Sequence, residues 1–127
     1  MIRFLLICLG GAIGTGARYA IALWAPRAFG AALPTGTLIV NLGGSFLLGV
    51  IMELSIATQI IGPDARLILG TGIMGGFTTY STFNYETLVM LRDGAFAIAF
   101  GNIAITLVGC LAAGTAGIAL ARAIAAH

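Results

Sequence analysis

Gly75-Gly76-Phe77-Thr78-Thr79-Tyr80-Ser81-Thr82-Phe83-Asn84 is a run of glycines, hydroxyls and aromatics inside a stretch otherwise apolar enough to cross a membrane. Glycine weakens a helix, and threonine competes with it through local side-chain hydrogen bonds. The run therefore predicts an interruption in a membrane helix. Backbone polar groups freed from a helix cannot face lipid, where each costs several kcal/mol, so such a break is buried in protein or lines a cavity. It is the candidate working site.

The surrounding composition supports a membrane setting. Of 127 residues, 60% are hydrophobic and 8% charged, with a mean hydropathy of +1.10; a soluble domain carries roughly 25% charged residues. A helix needs about 20 apolar residues to span the hydrocarbon core. The Pro, Gly and charged breaks divide the chain into four such pieces. The first is predicted over Phe4–Trp24, stopping at Ala25-Pro26-Arg27. Further apolar segments follow it, and it has no small-residue cleavage site before a polar domain, so it is expected to be retained rather than removed as a signal peptide. Pro34-Thr35 opens a second piece, 35–61, and Gly62-Pro63-Asp64 separates it from a third, 65–91, broken near 75–79. Arg92-Asp93-Gly94 turns the chain into a fourth, 95–122. The expected fold is an all-α membrane protein of a single four-helix domain, 1–127.

The charges bear on orientation. Lysine is absent, and the arginines are Arg3, Arg18, Arg27, Arg66, Arg92 and Arg122. With four spans, Arg3, Arg66 and Arg122 fall on one side, and Arg27 and Arg92 on the other, joined by Arg18 if its head snorkels there. Orientation follows the excess of Lys and Arg in short cytoplasmic loops. Near balance predicts a dual-topology chain, whose natural assembly is an antiparallel homodimer about a two-fold axis in the membrane plane. Gly10 and Gly14, and Gly72 and Gly76, have the spacing that places small residues on one helix face for close packing.

Three segments together resemble the small bacterial fluoride channels called Fluc or CrcB. They are Gly10-Gly11-Ala12-Ile13-Gly14 with Arg18-Tyr19, Gly36-Thr37-Leu38-Ile39-Val40-Asn41-Leu42-Gly43-Gly44-Ser45-Phe46, and Gly75 to Phe83. The resemblance covers nearly the whole chain. It implies a passive fluoride channel of the bacterial cytoplasmic (inner) membrane, multi-pass and dual-topology, whose antiparallel homodimer holds two pores and protects against fluoride. It further implies that Asn41, Tyr80 and Phe83 border a pore, with Ser81 and Thr82 as hydroxyls near it and Thr79 as a neighbour. Arg18 is then expected at the vestibule, with Glu86 hydrogen-bonding or pairing there. The backbone carbonyls of Gly75 and Thr78 are implied ligands of a structural, untransported Na+ at the dimer centre. Tyr80 departs from the family pattern, which has phenylalanine at this position.

Elementary chemistry accommodates these roles. Fluoride is small and strongly hydrated, so a path must replace its water with donors or positive polarity while still releasing it. Aromatic rings present positive edges without a full charge. Two readings stay open for several residues. Ser81 and Thr82 either border the ion path or bond back to carbonyls one turn earlier. Asn102, Thr106 and Cys110 recur every four residues, either as an opposite wall of the path or as interhelical hydrogen bonding by Asn102 and Thr106 with Cys110 as packing.

Other functional classes find less support. There is no phosphate-binding loop, no zinc motif and no Ser, His and Asp set, since the sole histidine is His127, so neither an enzyme nor a nucleotide-binding protein is expected. Cys8 and Cys110 make no disulfide framework. A net charge of +2 with dispersed arginines leaves no nucleic-acid footprint. The alternative of a small dual-topology, proton-coupled multidrug or cation exporter needs a membrane-embedded carboxylate, and the first helix contains no acid. Glu53 is expected to be solvated.

Overall fold

The computed structural model describes residues 1–58 and 60–126; His127 lies outside the described residues. The regular structure of the described residues is all helical: α1 (Ile2–Phe29), α2 (Thr35–Ala57), α3 (Pro63–Arg66), a π-helical segment (Leu67–Met74), α4 (Gly75–Phe77), α5 (Tyr80–Arg92) and α6 (Phe96–Ala125). Three of these, α1, α2 and α6, are long and apolar enough to cross a membrane unaided. Between α2 and α6 the chain makes a bent passage from α3 to α5, interrupted at Thr78 and Thr79.

The helix ends differ from the sequence expectation in ways that local chemistry explains. α1 passes through Pro26 and continues to Phe29 instead of stopping at Trp24. Proline removes its own N–H donor, but its fixed φ is compatible with a helix, so the final turn survives. The stop comes at Gly30, whose φ of 85° is a left-handed conformation suited to glycine and whose amide closes on the Pro26 carbonyl. α2 ends at Ala57, short of Ile61, because Thr58 turns extended while its hydroxyl donates to the Leu54 carbonyl at 2.7 Å. α6, over the fourth predicted piece, runs to Ala125, past Arg122. The interruption is narrower than 75–79: Gly75, Gly76 and Phe77 are helical.

Close backbone contact organises the bundle into two layers. α1 packs along the π-helical segment and α4, and α2 packs along α6. Gly14 faces the Ile73 carbonyl and Gly76 faces the Gly11 carbonyl so closely that a Cβ at either position would collide with it. The same device joins the other layer, where Gly49 meets the Gly114 carbonyl and Gly117 the Phe46 carbonyl. Small residues supply this association in lipid, where hydrophobic burial between helices gives little drive. Two ion pairs, Arg3–Asp64 at 2.9 Å on the surface and Arg122–Glu53 at 2.8 Å with its carboxylate largely covered, tie α1 to α3 and α2 to α6. Glu53 is thus paired rather than merely solvated.

Few large side chains are buried within the single chain. Val40, Met74 and Phe83 are covered, whereas Leu9, Ile13, Val108 and Leu111 project outward. Apolar exposure is the ordinary state of a helix bundle whose solvent is hydrocarbon.

Candidate functional site

The site begins with the interruption. Thr78 (φ −80°, ψ 158°) and Thr79 (φ −152°, ψ 108°) are extended, and Thr79 caps α5. An extended residue inside a bundle must find other partners for its backbone. Asn41, the buried polar side chain of α2, provides both. Its Oδ1 accepts from the Thr79 amide at 2.8 Å, and its Nδ2 donates to the Thr79 carbonyl at 3.1 Å. A carboxamide can donate and accept in one plane, so a single side chain serves as a substitute strand for one residue.

This pairing has consequences on both sides of the gap. In a continuous helix the Thr79 amide would donate to the Gly75 carbonyl; here Asn41 takes that donor. The Thr82 amide, which would reach the Thr78 carbonyl, donates instead to Thr79 Oγ1 at 3.3 Å. Gly75 and Thr78 therefore lose the helical donors of their carbonyls. Thr78 itself remains tied to the preceding turn, since its amide and hydroxyl both donate to the Met74 carbonyl at 3.0 Å.

Two cavities flank the Asn41–Thr79 pair. The larger, about 450 Å3, is lined by Asn41, Thr78, Tyr80, Phe83, Thr106 and Cys110 among others. Tyr80 and Phe83 stand with ring centroids 5.7 Å apart and planes inclined at 54°. Phe83 is 6% exposed while Tyr80 is 72% exposed, so Tyr80 closes the cavity from the outer surface of the chain. Thr106 is buried and has no side-chain hydrogen-bond partner among the described residues, leaving its hydroxyl to the cavity. The smaller, about 260 Å3, is lined by Thr15, Arg18, Thr37, Thr79 and Thr82 among others. Arg18 has no acidic partner within ion-pair distance among the described residues. Its charge is available to an anion.

The remaining sequence candidates are distributed around this core. The structure brings Asn41, Tyr80, Phe83 and Thr106 together, and places Cys110 with them. Thr82 faces the Arg18 cavity, with its hydroxyl 2.9 Å from that of Thr79. Ser81 is exposed, its hydroxyl 3.4 Å from Thr79 Oγ1. Neither hydroxyl bonds back to a carbonyl one turn earlier among the described residues. Asn102 is placed elsewhere: it borders an apolar cleft with Thr35 and Ile98, and its Nδ2 donates to Thr87 Oγ1 at 3.0 Å. Glu86 accepts from the Thr37 hydroxyl at 2.8 Å through Oε1, while its Oε2 is buried without a partner among the described residues.

Three participants escaped the sequence reading: Thr37, Ser45 and Thr87. Ser45 lines the larger cavity. The four-residue step from Phe83 to Thr87 is the signal that finds Thr87, because it places both on one face of α5. Thr37 similarly stands one helical turn before Asn41.

Residues 5–118 match the family model described as CrcB-like protein, Camphor Resistance (CrcB). A "Fluoride-specific ion channel FluC" of Anaeromyxobacter dehalogenans is 54% identical over 125 residues, spanning 98% of this chain and 99% of the relative. One of the same name from Sorangium cellulosum is 52% identical over 126 residues, 99% of each chain, and one from Geobacter sp. is 43% identical over 124 residues, 98% of this chain and all of the relative. With a family match across most of its length and relatives similar from end to end, this chain belongs to the CrcB family.

Proposed function

We propose that the chain is a passive, fluoride-selective ion channel that exports F− from the cytoplasm. The observation that carries the reading is the polar and aromatic cavity at the helix interruption, in a chain more than half identical to proteins named fluoride-specific channels. Asn41, Phe83, Tyr80 and Thr106 offer amide, ring-edge and hydroxyl polarity in place of water. None carries a full charge that would trap the ion. Arg18, without an acidic partner among the described residues and beside the threonines of the smaller cavity, attracts the anion toward the path.

Passive conduction suffices for export. HF crosses lipid as a neutral molecule and ionises in a near-neutral cytoplasm, while a membrane negative inside favours exit of the anion by about 2.3 kcal/mol per 100 mV. No covalent chemistry is required, and the protein is not an enzyme. The test is transport by the purified chain in liposomes. Fluoride release unaffected by a proton gradient supports the channel; uptake of a lipophilic cation driven by that gradient would support the exporter instead.

The assembly proposed is an antiparallel homodimer of dual-topology chains. It is supported by the near balance of arginines between the two ends and by the outward position of Tyr80 and Gly75, a surface suited to a second copy. A C-terminal tag that reports only from the cytoplasm is expected to give signal from part of the population. Signal from all copies or from none contradicts dual topology.

A structural Na+ at the dimer centre fits the residues present. The Gly75 and Thr78 carbonyls have lost their helical donors, and such unwound carbonyls suit a hard cation. Two chains would supply four of these oxygens. When bound, the ion supplies positive potential and joins the two chains.

Tyr80 retains a ring where the family has phenylalanine and adds a hydroxyl at the cavity. That hydroxyl hydrogen-bonds the ion or narrows its path, so Tyr80→Phe is expected to raise fluoride flux severalfold in liposome efflux assays. Equal rates in the two proteins would remove any special role for the hydroxyl.

A further inference from the structure

We propose that Asn102 and Thr87 are positioning residues that hold Phe83 at the distance from α6 on which discrimination between fluoride and larger anions depends; this rests on the channel reading above. The chain of bonds is short. Asn102 Nδ2 on α6 donates to Thr87 Oγ1 on α5 at 3.0 Å, and that hydroxyl donates its own proton to the Phe83 carbonyl at 2.8 Å. Thr87 thus joins α6 to the backbone of the residue whose ring lines the larger cavity.

A threonine bonded to the carbonyl four residues earlier is, by itself, common in membrane helices. Two features separate this one from that background. Its oxygen also accepts from another helix, and the Asn102–Thr87 bond is the one side-chain hydrogen bond between α5 and α6 among the described residues. The extended Thr78–Thr79 pair precedes α5, so α4 does not fix its position through a continuous helix. Lateral bonds must do so. Asn41 fixes Thr79 and Thr37 fixes Glu86 from the α2 side, and Asn102 fixes Thr87 from the α6 side.

Phe83 sits midway between two of these anchors. Thr79, Phe83 and Thr87 follow one another at four-residue steps and are 7%, 6% and 6% exposed. Thr106 faces the same cavity from α6, so the spacing of Phe83 and Thr106 depends on how α5 and α6 are joined. Loosening the Asn102 link lets the two walls separate. A wider path requires less dehydration and penalises a larger halide less.

The experiment compares fluoride and chloride efflux from liposomes containing the full chain or its variants. Thr87→Val preserves shape and removes the hydroxyl; Asn102→Leu removes the donor. Each is expected to lower the fluoride-to-chloride ratio about tenfold, the scale of one lost hydrogen bond. The double variant is expected to be no worse than the worse single one, because both remove the same link. Thr87→Ser, which keeps the hydroxyl, is expected to retain the original ratio. A purely structural role would lower yield or both fluxes together without changing the ratio. An unchanged ratio in Thr87→Val overturns the proposal whatever the behaviour of Asn102→Leu, and a changed ratio in Thr87→Ser does so too. Absence of fluoride efflux from the unaltered protein would overturn the channel reading instead.

Discussion

Replacing Asn41 with leucine is expected to reduce fluoride flux by more than tenfold, the largest effect of any single substitution around the interruption. Leucine keeps the branched outline of asparagine, though it is bulkier, but can neither accept from the Thr79 amide nor donate to its carbonyl. Each buried group left unpaired costs about 1–3 kcal/mol, so the two together oppose the present backbone by about 2–6 kcal/mol. The chain has a ready escape, because the Thr79 amide can return to the Gly75 carbonyl and continue the helix. That rearrangement would turn Tyr80 and Phe83 away from their places and withdraw a carbonyl from the proposed cation site. Asn41→Asp is expected to fail as well, since a carboxylate keeps the acceptor, loses the donor and repels the anion. Efflux from liposomes with matched protein content measures both; flux equal to that of the unaltered protein in Asn41→Leu contradicts the role assigned to this pair.

Removal of sodium is expected to have an effect of similar size. Purification and reconstitution with a bulky organic cation replacing Na+ on both sides should bring flux to background, and Na+ should restore it. The physical reason lies in the carbonyls of Gly75 and Thr78, which the Asn41 and Thr79 side chains deprive of helical donors. Without a cation, four such oxygens brought together by two chains would repel one another. Undiminished flux in sodium-free solution, with trace ion excluded, removes the ion from the account.

Much of this arrangement was legible in the residues because it depends on local chemistry. Glycine followed by clustered hydroxyls marked the interrupted passage, and the four-residue spacing of Gly10 with Gly14 and Gly72 with Gly76 anticipated the faces on which α1 meets that passage. An asparagine within an apolar helix needed a partner, although which backbone it would satisfy depends on how α2 lies against α4 and α5. That is a tertiary fact without a sequence signature. The same limit separates Asn102 from Thr106 and Cys110. They share a helical face, yet a carboxamide is long enough to turn sideways toward Thr87. The π-helical segment was also invisible: its wider turn, with the Gly75 amide reaching the Gly70 carbonyl, leaves no distinct pattern in a run of apolar and small residues. Pro26 misled for a simpler reason. One missing donor near a helix end is tolerated, and the positive φ of Gly30 was the effective stop.

If this chain alone forms a passive path for fluoride, net release must wait for a counter-ion to leave the vesicle. Liposomes containing only the purified protein are loaded with potassium fluoride and diluted into fluoride-free solution under an external fluoride electrode. Little release is expected until valinomycin lets K+ leave, then rapid efflux, because a channel that moves F− alone stops when charge accumulates. Protein-free liposomes should stay silent, and chloride should remain trapped in parallel vesicles. No fluoride release after valinomycin, or release that requires a proton gradient, would show that the chain is not a passive fluoride path.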